Sequence, residues 1–280
     1  MLGHEGIGRV VEVGGDLDAA DRIGTRIGLP WIFSSCETCR PCRLSQETLC
    51  ETQLVRGLHK YGAFAEYALV DSRFAIEIPD GIDSIKGAPL LCAGLTAWSA
   101  LKKVNLRAGS TVLIVGAGGL GQYAVGIAKS HGATVWVVDP SIERLKQALS
   151  LGADQSFING RNAAAEIMAA GGANIAINFA PHKSAWKLIE KSVKPMSEII
   201  CVALVYEPVE LSMMWLIDGG HRLLGSSVGT REELKEFLAF ASKNQQLVDV
   251  ESIPLAGVSE ALNRLKAGDF KGRLCVDFQL

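Results

Sequence analysis

The chain has 280 residues, 48% of them apolar, and 28 Lys plus Arg against 30 Asp plus Glu leave a net charge of −2. That balance excludes a basic nucleic-acid footprint and a polybasic membrane patch, and the aliphatic content excludes a disordered chain. No apolar run approaches the roughly 20 residues of a membrane helix. The start, Met1 to Gly6, has neither the charged nor the apolar region of a signal peptide, so a cytoplasmic location is expected.

Up to about residue 92 the chain reads as short strands and turns. Gly8–Val13, Arg26–Gly28 and Phe64–Val70 carry β-branched or aromatic residues between Gly, Pro or Asp, around an irregular insertion from Trp31 to Leu58. From about Thr96 the character changes to alternating strands and helices. Thr111–Val115 is a buried strand, followed by a glycine-rich turn and a helix that Gly132 ends; Thr134–Asp139 is the next strand. Pro140-Ser141 caps a helix to Leu149. The alternation continues with Ser156–Ile158, a helix near Ala163–Ala169, Asn174–Asn178, a helix near Ala185–Val193, Glu198–Val202 and Leu223–Val228. Helices over Glu232–Ser242 and Ser259–Ala267 and a strand over Arg273–Phe278 close the chain. Strands alternating with helices at this spacing predict βαβ units and a parallel sheet. The expected division is a β-rich domain over 1–95, a dinucleotide-binding domain over 96–228, and a return to the first over 229–280.

The segment Gly116-Ala117-Gly118-Gly119-Leu120-Gly121 follows a strand and opens a helix, and Asp139 ends the next strand about 20 residues on. Gly116 permits the tight turn, Gly118 lets backbone approach a pyrophosphate, and Gly121 lets helix and strand pack closely. The diphosphate would rest on the helix N-terminus. Asp139 can accept from a ribose diol and would repel a 2′-phosphate, so the pattern points to NAD rather than NADP. A glycine turn with no ligand is the plain alternative.

Seven cysteines are unevenly placed. Cys36, Cys39, Cys42 and Cys50 share one short polar stretch, while Cys92, Cys201 and Cys275 are scattered. In a reducing compartment the cluster points to metal ligands rather than disulfides. Four thiolates can close round one tetrahedral zinc with no open position, which makes the site structural. Free thiols and an iron–sulfur cluster are the other readings. His4 alone is a polar turn residue, and Cys92 alone, flanked by Leu91 and Ala93, is a core cysteine. His59, His131, His182 and His221 read as loop, turn or helix-end residues.

Taken together, Gly3-His4-Glu5-Gly6-Ile7-Gly8, the Cys36–Cys50 loop, Leu91-Cys92-Ala93-Gly94-Leu95-Thr96, Gly116–Gly121 and Val228-Gly229-Thr230-Arg231 occur in one order. In that order they resemble the zinc-dependent alcohol dehydrogenases of the medium-chain dehydrogenase/reductase family, most of all the bacterial and yeast tetrameric branch. The resemblance runs from residue 3 to the C-terminus. It implies an α/β fold, with a doubly wound Rossmann parallel sheet plus a GroES-like β-barrel domain, and a catalytic zinc held by His4 and Cys92 with Glu5 beside it. It places Thr96 beside the nicotinamide, Arg144 at the adenosine ribose, Arg231 at the pyrophosphate and Trp31 in the alcohol pocket. As bare sequence, Arg144 would be a solvated helix charge and Trp31 ordinary packing.

The implied activity is hydride transfer between a small alcohol and NAD, giving an aldehyde or ketone and NADH, in a homo-oligomer, dimer or tetramer. Family members carry about 60 residues before Gly-His-Glu, on the scale of half a small domain, and this sequence carries two. The barrel is therefore expected to be incomplete and the catalytic zinc one thiolate short. Two alternatives follow: a catalytically impaired NAD- and zinc-binding protein derived from such an enzyme, or a polyol or threonine dehydrogenase of the same family. A second departure is Lys194-Pro195-Met196-Ser197, where the family often has a Gly-Gly turn.

Overall fold

The computed structural model describes residues 1–14, 22–244 and 248–280. The chain divides into two compact units, Met1–Leu95 with Val228–Leu280, and Thr96–Ser227.

The first unit contains β1 (Gly6–Arg9), β2 (Arg26–Leu29), β3 (Ile32–Ser34), α1 (Arg40–Arg43), β4 (Leu54–Val55), β5 (Ile76–Glu77) and α2 (Ser84–Gly87); α3 (Ala93–Lys102) begins in it and ends in the second unit. Strands β1, β2 and β5 form an antiparallel sheet in which Gly6 faces Leu29 and Ile27 faces Glu77. The short pair β3 and β4 brackets the cysteine-bearing insertion. Leu29, Ile76, Ile78, Ile82, Leu90 and Leu91 are buried in this unit. Asp83 caps α2 by accepting from the Ile85 and Lys86 N–H groups, which a helix start leaves without partners.

Phe64–Val70, expected as a strand, joins no ladder among the described residues. Its alternation has no buried face to serve: Tyr67 and Leu69 are 73% and 77% exposed. The backbone leading into it is spent elsewhere, since Gly62, Ala63 and Phe64 donate to the Met1, Gly3 and Leu2 carbonyls.

The second unit is built from β6 (Thr111–Val115), α4 (Gly119–Ser130), β7 (Thr134–Asp139), α5 (Ile142–Ser150), β8 (Gln155–Ile158), α6 (Ala163–Ala169), β9 (Ala173–Asn178), α7 (Lys183–Glu190), β10 (Val193–Cys201), α8 (Met213–Gly219) and β11 (Arg222–Gly225). The six strands form one parallel sheet in the order β8-β7-β6-β9-β10-β11. This is the doubly wound Rossmann order, whose switch point lies between β6 and β9. Continuous apolar runs such as Val112–Val115 and Val135–Val138 are what a sheet covered on both faces requires. Leu113, Val138, Phe157, Ile167, Trp186 and Ile199 pack together in its core. The Lys194–Ser197 departure falls on a register shift in β10, where Met196 adopts φ +62°. That left-handed backbone suits glycine, which accounts for the family's preference there.

The chain then re-enters the first unit with α9 (Arg231–Ala241), β12 (Val250–Ile253), α10 (Val258–Ala267) and β13 (Arg273–Val276). β12 and β13 pair in parallel. A reciprocal capping box opens α9: Thr230 Oγ1 accepts from the Glu233 N–H, and Glu233 Oε2 from the Thr230 N–H. No helix of the described residues is long and apolar enough to cross a membrane.

Candidate active site and metal centres

The glycine turn leaves β6 at the switch point of the second unit. Gly116 has φ +98°, and a Cβ there would stand 3.1 Å from the Ala180 N. A Cβ on Gly121 would stand 2.0 Å from the Gly116 carbonyl oxygen, so only glycine permits this approach of helix to strand. A Cβ on Gly118, by contrast, would meet nothing within 4 Å. Gly118 is the N-cap of α4 and no side chain caps that helix. Gly119, Leu120 and Gly121 form its first turn, so the helix start offers uncapped N–H groups in open space, a fit for a diphosphate.

Asp139 ends β7 and is only 3% exposed. Its Oδ2 accepts from the Ala117 N–H and its Oδ1 from the Ser141 N–H, both at 2.8 Å. The carboxylate thus ties the glycine turn to the end of β7, a structural duty that the sequence did not disclose. Each oxygen keeps a further lone pair for a ribose hydroxyl. Arg144 is half-buried in the first turn of α5, where its N–H reaches the Ser141 Oγ at 3.4 Å. Thr96 is buried on α3.

In the first unit, donor atoms of Cys36, Cys39, Cys42 and Cys50 all lie within 4.8 Å of one another. Zinc at about 2.3 Å from four tetrahedral sulfurs needs S···S separations of roughly 3.8 Å. Cys36 Sγ is 3.6 Å from Cys50 Sγ and 3.9 Å from Cys42 Sγ, so the spacing fits. The Cys36 thiol is pulled down to about 5 by the Thr38 N–H and hydroxyl and by the Cys39 N–H. Cys50 is lowered by the Cys36 N–H and the Thr52 hydroxyl. A thiol near 5 is a thiolate at neutral pH, the form that binds metal, whereas Cys39, despite a lowering bond from the Cys42 N–H, is pushed up to about 12 by desolvation and by the neighbouring Cys36, Cys42 and Cys50 sulfurs.

A second group joins distant parts of the same unit. Donor atoms of His4, Glu5 and Cys92 lie within 4.8 Å of one another, all half-buried. Glu5 is held from two sides: Oε1 accepts from the Ala93 N–H at 2.9 Å and Oε2 from Arg273 Nη2 at 2.8 Å. Arg273, the first residue of β13, went unnoticed in the sequence because 268 positions separate it from Glu5 and no local pattern marks it. A nitrogen, a thiolate and a neighbouring carboxylate make a donor set suited to zinc.

Trp31 lines a narrow surface pocket with Leu91, Leu95, Val228, Thr230 and Leu234. Arg231 borders the same pocket, but its guanidinium is drawn to Glu47, Glu37 and the Arg73 carbonyl. His59 serves the fold: its Nδ1 accepts from the Val55 N–H at 3.1 Å.

Residues 1–80 match the alcohol dehydrogenase GroES-like domain, and residues 119–243 match the zinc-binding dehydrogenase domain. An alcohol dehydrogenase of Geobacillus stearothermophilus is 38% identical over 275 residues, spanning 97% of this chain and 80% of the relative. The crystal structure of the alcohol dehydrogenase from Aeropyrum pernix superposes with a TM-score of 0.89 at 30% identity, over 98% of this chain and 82% of that one. An alcohol dehydrogenase from E. coli CFT073, complexed with NADH, gives a TM-score of 0.89 at 26% identity, over 98% and 82% of the two chains. With this likeness along nearly its whole length, the chain belongs to the zinc-dependent alcohol dehydrogenases of the medium-chain dehydrogenase/reductase family.

Proposed function

We propose that the protein transfers hydride between a small alcohol and NAD, with His4 and Cys92 as zinc donors and Glu5 as the carboxylate beside them. The observation that carries this reading is the meeting of His4, Glu5 and Cys92 within 4.8 Å across 88 positions of sequence, in a chain that also holds the glycine turn with Asp139. When bound, zinc supplies Lewis acidity toward the alcohol oxygen, and the nicotinamide accepts the hydride.

The protein's own part is placement. The Ala93 N–H and Arg273 fix Glu5, so its charge stands at a defined point beside His4 and Cys92. Gly119, Leu120 and Gly121 would present backbone N–H groups to the diphosphate, with Gly116 and Gly118 shaping the turn that admits it. Asp139 would take the adenosine ribose, with Arg144 on α5 beside it, and Thr96 would face the nicotinamide. The E. coli neighbour complexed with NADH supports the choice of cofactor. The four thiolates of Cys36, Cys39, Cys42 and Cys50 would hold a second, structural zinc.

The relatives named alcohol dehydrogenase favour a simple alcohol over the polyol or threonine reading. A cytoplasmic location fits the composition. Self-association is favoured by the second unit's surface, where Leu204, Tyr206, Met213, Met214 and Ile217 are all more than half exposed and β11 is a sheet edge.

The test is steady-state reduction of small aldehydes with NADH on zinc-supplemented protein, beside His4→Ala and Cys92→Ala. Both variants should lose activity by 10²-fold or more, about 3 kcal/mol, while NADH titration stays within about twofold. Activity that survives both substitutions would overturn the assignment.

A further inference from the structure

The Ala117–Gly118 peptide is the middle of the glycine turn, and its polar groups have identifiable destinations. The Ala117 N–H goes to Asp139 Oδ2 at 2.8 Å. The carbonyls of both residues go to a single partner: Gln122 Nε2 donates to the Ala117 oxygen at 3.2 Å, and the Gln122 N–H donates to the Gly118 oxygen at 3.0 Å. A trans peptide turns its C=O and its N–H to opposite sides. With the Ala117 oxygen drawn to Gln122, the Gly118 N–H faces away from that side chain.

Gln122 lies in α4 and is only 5% exposed. A carboxamide this deep needs partners for its hydrogens. Both hydrogens of its NH₂ are used, because Nε2 also donates to Gln147 Oε1 on α5 at 2.8 Å. Chemistry fixes the orientation: the Ala117 carbonyl can only accept, so the NH₂ must face it.

These bonds close a circuit round the start of the nucleotide site. From Ala117 it passes to Asp139, whose Oδ1 accepts from the Ser141 N–H at 2.8 Å. Ser141 caps α5, the helix that carries both Arg144 and Gln147. Gln147 returns the circuit through Gln122 to Ala117. The glycine turn and the first turns of α5 are thus locked into one frame.

We infer that Gln122 is a positioning residue for the dinucleotide. Its carboxamide sets the plane of the Ala117–Gly118 peptide, and so the direction in which α4 presents its first N–H groups, while Gln147 holds that carboxamide in place. The inference rests on the reading that this turn receives a diphosphate, and adds to it the side chains that aim the turn.

The experiment uses the full chain with Gln122→Met, Gln147→Met and the double variant. Methionine keeps the unbranched shape of glutamine but has no N–H to donate. Three readouts are taken: fluorescence titration with NADH, competition against NADH by ADP-ribose and by adenosine, and hydrogen exchange over residues 116–122. Gln122→Met should bind NADH and ADP-ribose about tenfold more weakly, the effect of losing a neutral hydrogen bond or two. Adenosine, which lacks the diphosphate, should stay within about twofold of the parent. Gln147→Met should weaken NADH by about threefold, since Gln122 keeps its bond to Ala117. The double variant should match Gln122→Met, because Gln147 acts only through Gln122. A Gln122→Met protein that binds NADH as the parent does would overturn the inference. So would equal weakening of adenosine and ADP-ribose, which a general loosening of the unit would produce. Should Gln122→Met fail to fold, Gln147→Met decides: a loss confined to NADH and ADP-ribose supports the inference, and unchanged binding refutes it. If the parent binds neither NADH nor ADP-ribose, the cofactor reading fails separately. Hydrogen exchange then decides: faster exchange across the turn in Gln122→Met supports the hold on it, and unchanged exchange refutes it.

Discussion

Asp139→Asn separates two duties that one carboxylate performs. The substitution is isosteric, so it opens no cavity, but one of the two oxygens becomes an NH₂ that faces an N–H donor. Either the Ala117 or the Ser141 N–H then loses its acceptor in a site 3% exposed. An orphaned buried donor costs about 1–3 kcal/mol. For a unit of this size that lowers the melting temperature by roughly 3–12 °C. The second effect is on the cofactor. A carboxylate about 5 Å from a phosphate charge repels it by roughly 3 kcal/mol at an effective dielectric near 20, less after salt screening. Removing the charge should tighten NADPH by about 30-fold or more, and weaken NADH by up to about tenfold as charge-assisted bonds to the ribose become neutral ones. The preference ratio should fall by about 10²-fold. Calorimetry reads the first effect, and fluorescence titration with both nucleotides reads the second. A variant that melts early but keeps the parent's preference would show that Asp139 only ties the turn. One that keeps both properties would refute the hydrogen-bond pattern as well.

Two further outcomes follow from groups outside the nucleotide site. Cys39→Ser should remove about one tightly held zinc per chain and open residues 31–58 to proteolysis, because metal binding there is folding energy; unchanged zinc content would rule out the four-thiolate site. His221 gives a pH dependence: it stacks on Trp215 at 4.0 Å and its Nδ1 meets Ser197 Oγ at 2.7 Å, and desolvation by burial holds it below the ordinary histidine range. The unfolded chain therefore takes up the proton first, so His221 contributes stability above the unfolded value near 6.5 that is lost as pH falls through its lower folded value. The urea midpoint of the parent should drop more between pH 7.5 and 5.5 than that of His221→Gln, and parallel slopes would contradict the assignment.

The first half of the second unit was legible in the sequence nearly to its bounds, whereas α8 was not foreseen and the strand expected over Leu223–Val228 ends at Gly225. Thr111–Val115 and Thr134–Asp139 are strands over those same bounds, and Ser141 caps the helix that it was expected to cap. The reason is local: continuous apolar runs, a glycine turn with φ constraints and a capping serine each act within a few residues. Phe64–Val70 misled for the complementary reason. Its alternation states only that the segment could be a strand, and a ladder needs a neighbour that no pattern within the segment can supply. The cysteine loop was legible as a metal site because four thiolates in 15 positions have few other uses. How the loop joins α9 was not: Glu47 and Arg231 are 184 positions apart, and each alone is an ordinary surface charge.

The same distinction decides what Glu5 does. By sequence it could be a third donor to the metal beside His4 and Cys92, since a carboxylate is an acceptable zinc ligand. In the structure both of its oxygens already accept bonds, one from the residue that follows Cys92 and one from Arg273, the first residue of the final strand. A carboxylate bound this way is most useful where it stands. Its bond to the Ala93 N–H fixes the backbone beside the Cys92 thiol, and its pairing with Arg273 anchors β13 to the start of the chain. To ligate a metal it would have to share an oxygen already polarised by a guanidinium, which weakens it as a donor. His4 and Cys92 are therefore the donors that we propose for the metal, with Glu5 as the charge beside them that orients the Cys92 backbone.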